Sequence, residues 1–194
     1  MSVKLRTLIT ATVAAALLAP AATASAAVEK GKLRPTARLA QQCADADLEP
    51  AADNLPRVRA AILCLHNKVR AEKGLPTLKE NGRLRRAALG HSRAMVSNGF
   101  FEHTTPAGVS MTDRILRSGY VSRDQAWSLG ENLAWGTGQL ATPRGAIEAW
   151  LDSPGHRANL LKRSYRELGV GVVLGNPSTG NDGATYTVDF GVRR

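Results

Sequence analysis

Leu168-Gly169-Val170-Gly171-Val172-Val173-Leu174, followed by Thr185-Tyr186-Thr187-Val188-Asp189-Phe190-Gly191-Val192, decides the fold class. The first segment is a continuous apolar run interrupted only by glycine, which reads as a buried strand. The second alternates: Tyr186, Val188, Phe190 and Val192 interleave with Thr185, Thr187 and Asp189, the pattern of a half-buried strand. Between them, residues 175–183 are rich in Gly, Asn, Pro and Asp. A hairpin loop there makes the two strands antiparallel. Helices ahead of a terminal hairpin give an α+β domain and not a doubly wound parallel sheet. A further strand over residues 130–135 completes a small sheet.

Upstream the spacing is helical. Ile62, Leu65, His66 and Val69 share one face of a helix over Arg57 to Lys73, stopped by Gly74 with Pro76 beyond it. Asn81 caps a second helix running to about Asn98, with Leu84, Ala88, His91 and Met95 on its apolar face. A short helix over Met111 to Arg117 is closed by Gly119. Thr142-Pro143 pairs a capping residue with proline at the first helical position, and that helix carries Ile147, Trp150 and Leu151. Ser153-Pro154 repeats the signal and opens another helix through Leu161.

The N-terminus reads as an export signal. Lys4 and Arg6 precede an apolar run from Thr7 to Ala19, and Ala24-Ser25-Ala26 presents small residues to a signal peptidase. Residues 1–26 are expected to be removed, residues 27–40 to form a basic flexible linker, and residues 41–194 to fold as one domain. No later segment is long and apolar enough to span a bilayer. Removing Lys4 and Arg6 from a formal net charge of +10 leaves +8. Such a protein is drawn to anionic polymers and acidic lipid headgroups. Nucleic acid is not the expected partner, since export separates the chain from chromosomes and three each of Phe, Trp and Tyr give no evident stacking platform. In an oxidising compartment the only cysteines, Cys43 and Cys64, pair as a disulfide that stabilises by roughly 3 kcal/mol through the unfolded state.

Four histidines are present. His66 and His91 lie on apolar helix faces and read as buried rings bonded to backbone. His103, after Phe100-Phe101 and before Thr104-Thr105-Pro106, is either a site residue or a brace for that turn. With Ser153 as N-cap, His156 is the third helical residue. The partial positive charge of a helix start disfavours imidazolium, leaving the neutral form that ligates metal or accepts a proton. Glu131 sits between Gly130 and Asn132 in an otherwise apolar stretch. A carboxylate there is costly unless paired, either with a histidine or with one of the arginines. Arg83, Arg85 and Arg86 form either a polyanion contact or a solvated helix start. HExxH, P-loop, GxGxxG and GxSxG patterns are absent, which argues against mainstream metalloprotease, nucleotide-binding and serine-hydrolase chemistry.

The chain resembles the bacterial branch of the CAP superfamily, the SCP-like domain of cysteine-rich secretory, antigen-five and pathogenesis-related proteins. The resemblance rests on His66-Asn67-Lys68-Val69-Arg70, Gly74-Leu75-Pro76-Thr77-Leu78, His91-Ser92-Arg93-Ala94-Met95, Phe101-Glu102-His103, Gly130-Glu131-Asn132-Leu133-Ala134, the run from Trp150 to Leu161, Gly169-Val170-Gly171 and Asp189-Phe190-Gly191, in that order. It implies a three-layer α-β-α sandwich around a central antiparallel sheet, with a cleft that the family often lines with two histidines and two glutamates. His103, Glu131 and His156 match three of those positions. Ser153 stands at the fourth, so the chain departs from the full tetrad; Ser153 and Asn132 become candidate cleft-lining residues.

The resemblance implies several functions, since family members are described as binding divalent metal, sterols or other lipids, and some as proteases. The favoured reading is a non-enzymatic module, secreted or wall-associated and monomeric, binding a lipid, a peptide or an anionic wall component. The alternatives are a metal-dependent, peptidase-like hydrolase and a purely structural scaffold. In the hydrolase, His103, His156 and Glu131 would hold Zn2+ or another divalent ion weakly, or Glu131 would act as the base.

Overall fold

The alternating C-terminal segment becomes an inner strand of the sheet, not an edge. The computed structural model describes residues 43–193. Its elements are α1 (Leu55–Glu72), β1 (Lys79–Glu80), α2 (Gly82–Asn98), α3 (Met111–Arg117), β2 (Trp127–Gly136), a 3-10 turn (Gly138–Ala141), α4 (Pro143–Asp152), α5 (Pro154–Leu160), β3 (Glu167–Leu174) and β4 (Ala184–Arg193). The proposed export signal over residues 1–26 and linker over residues 27–40 lie outside the described residues. Among the described residues no helix is long and apolar enough to cross a membrane.

The strand order is β1-β3-β4-β2. β4 pairs antiparallel with both β3 and β2, as the hairpin reading requires. β1 pairs parallel with β3, so the sheet is mixed at one edge. Sequence periodicity could not find β1, because a two-residue strand with both side chains exposed has no alternation to display.

One face of the sheet carries a dry core. Leu168, Val170 and Val172 of β3 and Tyr186, Val188 and Phe190 of β4 pack with Val58, Ile62 and Leu65 of α1 and Ile147 and Trp150 of α4. The other face is not solvent. Thr185, Thr187 and Asp189 are fully buried, which corrects the half-buried reading of this strand. The alternation reports a change of chemistry across the sheet, because α2 covers the polar side. Gly169 and Gly171 permit that cover: a Cβ on them would meet Arg85 N at 2.0 Å and Ala88 C at 2.4 Å. Ser92 of α2 then donates through Oγ to Thr187 Oγ1 at 2.8 Å.

Local signals hold where capping chemistry is unambiguous. Asn81 accepts from the Arg83 and Leu84 amides, and Gly99 closes α2 in the left-handed conformation. Ser110 and Asp113 form a capping box at the start of α3. Cys43 and Cys64 are bonded, fixing the segment before α1 to that helix. Arg144 N donates to Ala46 O at 2.9 Å, docking the same segment on α4.

Candidate functional site

Glu131 lies in the middle of β2 with its side chain 1% exposed, a position where an unpaired carboxylate is costly. Two neighbours resolve that cost. His103 Nδ1 is 2.8 Å from Oε1, and Arg114 Nη2 donates to Oε2 at 2.6 Å. Both alternatives left open by the sequence, a histidine and an arginine, are therefore realised on one carboxylate.

Arg114 also fixes the loop that carries His103. Its Nη1 donates to His103 O at 3.0 Å and to Val109 O at 3.1 Å. His91, on α2, contacts Glu102 O through Nε2 at 2.9 Å and packs on Phe100. Its reading as a buried, backbone-bonded ring holds, and the backbone it grips is that of the loop before His103. The His103 side chain is 56% exposed, so its ring reaches solvent while Nδ1 faces the carboxylate.

The electrostatics follow from this geometry. The hydrogen bond with Glu131 raises the His103 pKa above its ordinary value, against burial, which lowers it. Burial opposes ionisation of Glu131, yet the His103 hydrogen bond and the Arg114 charge outweigh it, and the net shift is downward. Glu131 is thus an anion held between the His103 ring and the Arg114 guanidinium.

Beneath it lies a second carboxyl that sequence reading passed over. Asp189 is the cross-strand partner of Glu131 and is fully buried. Among the described residues no donor reaches either of its oxygens. Burial first, and then the neighbouring Glu131 charge, push its pKa well above the usual carboxylate range. Of the two carboxyls, Asp189 is the one pushed towards the protonated form. The signal was an acid among threonines on the side of β4 opposite the aromatic residues.

His156 comes near the group from α5. Burial lowers its pKa, and the charge of His103 lowers it further. The neutral form expected from the helix start is the outcome, with burial as its leading cause. Asn132 is fully buried and does not line a cleft. Its Nδ2 donates to His156 O at 3.0 Å, and its Oδ1 accepts from Asn159 Nδ2 at 3.0 Å. Asn159 Nδ2 is also 3.1 Å from Glu131 O, so two asparagines fasten α5 to β2. Asn159 lies three residues after His156 on the same helix, a spacing that puts both on one face. Ser153 is half-buried at the α4–α5 junction and makes no capping hydrogen bond.

Among the described residues no group of three His, Cys, Asp or Glu is placed to hold an ion. Both Glu131 oxygens already accept hydrogen bonds, and a catalytic zinc site takes three protein ligands. Nor do the roomier concavities coincide with the array. A groove of about 730 Å³ opens at the start of α2, and one of about 530 Å³ runs along α1, each lined by other residues. Arg114 reaches a depression of about 260 Å³ that it shares with Arg86 and Arg117.

Comparison with known proteins places this architecture. The chain is 40% identical over 111 residues to the uncharacterized membrane protein YlbC of Bacillus subtilis, covering 57% of this chain and 30% of that protein. It is 34% identical over 109 residues to the uncharacterized protein YkwD of the same organism, covering 56% and 40%. The chain thus spans less than half the length of the curated relatives it matches. An extracellular protein containing an SCP domain from Bacillus anthracis str. Ames superposes with a TM-score of 0.58 at 29% identity, over 75% of this chain and 44% of that one. An outer surface protein from Borrelia burgdorferi shares the fold, with a TM-score of 0.57 at 21% identity over 75% and 96%. With a sequence model of the family matching residues 63–190, the chain belongs to the cysteine-rich secretory protein family, CAP.

Proposed function

We propose that the protein is a secreted, non-enzymatic binding module, released by cleavage after Ala26, that presents the His103–Glu131–Arg114 array to a lipid, a peptide or an anionic component of the cell wall. One observation carries this reading: both oxygens of Glu131 are engaged, by His103 at 2.8 Å and Arg114 at 2.6 Å. A carboxylate so held is poor at taking a proton from water, and its role is to orient its partners. The outward part of the His103 ring and the neutral His156 supply the contact surface. An extracellular setting agrees with that of the similar Bacillus anthracis protein and with the disulfide.

The experiment is saturable retention of the full chain on purified cell wall and on lipid vesicles, against a heat-unfolded control. His103→Ala and His156→Ala should each weaken retention several-fold while the protein still melts cooperatively. Retention equal to that of the unfolded control removes the reading. A zinc titration followed by thermal melting runs beside it. A rise in Tm in the wild type that is lost in both histidine variants would replace this reading with a metal-dependent one.

A further inference from the structure

Away from the His103 array, the start of α2 carries a charge pattern that helix stability does not explain. Its first five residues are Gly82-Arg83-Leu84-Arg85-Arg86. No acid lies in the first turn and no base in the last. A helix start bears partial positive charge, so three arginines there are placed where the helix itself disfavours them, and none where it would favour them. Arg83, Arg85 and Arg86 line the 730 Å³ groove together with Asn81, Leu89 and Arg193.

The groove is held in shape. Arg83 Nη1 donates to Gly119 O at 2.8 Å. Arg193 lies 4.6 Å above the Tyr120 ring and pairs with Glu167 at 3.4 Å. Arg85 pairs loosely with Glu80 at 3.5 Å. Two carboxylates thus answer four guanidinium groups, and Arg86 makes no ion pair among the described residues. Arg86 also lines the neighbouring depression with Arg117 and Arg114. The basic surface therefore continues from the groove along α2 and α3 towards Glu131.

We infer that the groove at the start of α2, lined by Arg83, Arg85, Arg86 and Arg193, is a binding site for a linear polyol-phosphate polymer of the cell envelope, and that none of these four arginines belongs to the His103 array. Guanidinium groups match phosphate oxygens with paired donors, and a row of them suits a chain of phosphodiesters better than one anion. Arg193 covers the Tyr120 ring, so the groove offers no open aromatic face for a nucleobase. Its one hydrophobic side chain, Leu89, is half-buried and gives no wedge for a bilayer.

The test is fluorescence anisotropy of a labelled poly(glycerol phosphate) oligomer with the full chain across a salt series. Arg83→Gln with Arg86→Gln should weaken binding at least tenfold and reduce the slope of log K against log salt by roughly 1.5. Arg193→Gln, on a different element, should weaken it about threefold. Arg93→Gln with Arg163→Gln, which removes equal charge elsewhere, should change it less than twofold, and so should His103→Ala. Inorganic phosphate should compete only at far higher concentration. Equal loss in the Arg93/Arg163 variant would show a general charge effect and overturn the site. So would the absence of saturable binding, or tighter binding, phosphate for phosphate, to phosphatidylglycerol vesicles or to single-stranded DNA that the groove variants abolish. Because His103→Ala is expected to be silent here, this site and the His103 array stand or fall separately.

Discussion

The two faces of the sheet each engage a histidine and an arginine, and treat them differently. On the face covered by α1, Arg70 is fully buried, and among the described residues no acid pairs with it. It donates to Pro76 O at 2.8 Å, Leu160 O at 2.9 Å, Lys162 O at 3.1 Å and Tyr165 O at 3.4 Å. His66 on the same face bonds to Ile62 O at 2.8 Å and packs between Trp150 and Phe190. On the face covered by α2, Arg114 and His103 turn to the Glu131 carboxylate. Backbone carbonyls are fixed acceptors that cannot change charge. A carboxylate network can, and its members shift one another. The first arrangement holds elements together, while the second can change charge with pH.

The largest effect should come from breaking the carbonyl-bound face. Arg70 gathers the loop after α1 and the end of α5, so Arg70→Ala leaves several buried carbonyls without donors and releases the helix bearing His156. We expect a loss of about 4 kcal/mol in urea denaturation, within the range for removing a buried charged donor. Arg70→Lys should recover little, since one ammonium cannot span acceptors spread over the loop after α1 and the stretch from Leu160 to Tyr165. A variant that unfolds at the wild-type urea concentration would mean these carbonyls find water or other donors.

Proton sensitivity sharpens the contrast. Burial lowers the His66 pKa from 6.5 to about 4. A histidine depressed on folding contributes stability that is present above its unfolded pKa and lost as pH falls through the folded one. Between pH 6.5 and 4 the protein should lose up to about 3 kcal/mol from this residue. His103 has the opposite sign, since its raised pKa gives stability present below 6.5 and lost as pH rises through the folded value. Its ring is more than half exposed, and solvent screening keeps that term small. Tm against pH should therefore fall on the acid side in the wild type and flatten there in His66→Gln. An equal acid slope in the variant would assign the loss to other groups.

The same contrast explains what the sequence could and could not reveal. Capping chemistry is local, so Asn81 and Thr142 marked helix starts within a residue or two. The hairpin and the disulfide were equally legible. The convergence of Glu131 with His103 was legible as a need, because a carboxylate in an apolar strand demands partners. Which partners it takes is a tertiary fact. Arg114 looks like any surface arginine in a short helix until α3 docks beside β2. Asp189 was hidden by the alternation of β4, because period two distinguishes the faces of a strand without saying what covers each. Asn132 was misplaced for the same reason: its strand was recognised, and the α5 residues waiting for its side chain were not.

The finest test separates the two carboxyls. Glu131→Gln leaves Arg114, whose side chain is 9% exposed, facing a neutral amide, and should cost about 2 kcal/mol. Asp189→Asn replaces a carboxyl pushed towards its acid form by a neutral group of the same shape, and should cost less than about 1 kcal/mol. It should also remove a loss of stability as pH rises above the ordinary carboxylate range. The raised Asp189 pKa gives a contribution present below about 4 and lost as pH rises through the folded value. The ring protons of His103, followed by NMR, give the independent reading. Their titration should fall back towards the ordinary value in Glu131→Gln and stay raised in Asp189→Asn. If Asp189→Asn moved the His103 titration as far as Glu131→Gln does, Asp189 would be carrying the negative charge, and the assignment of acid and anion within the pair would be reversed.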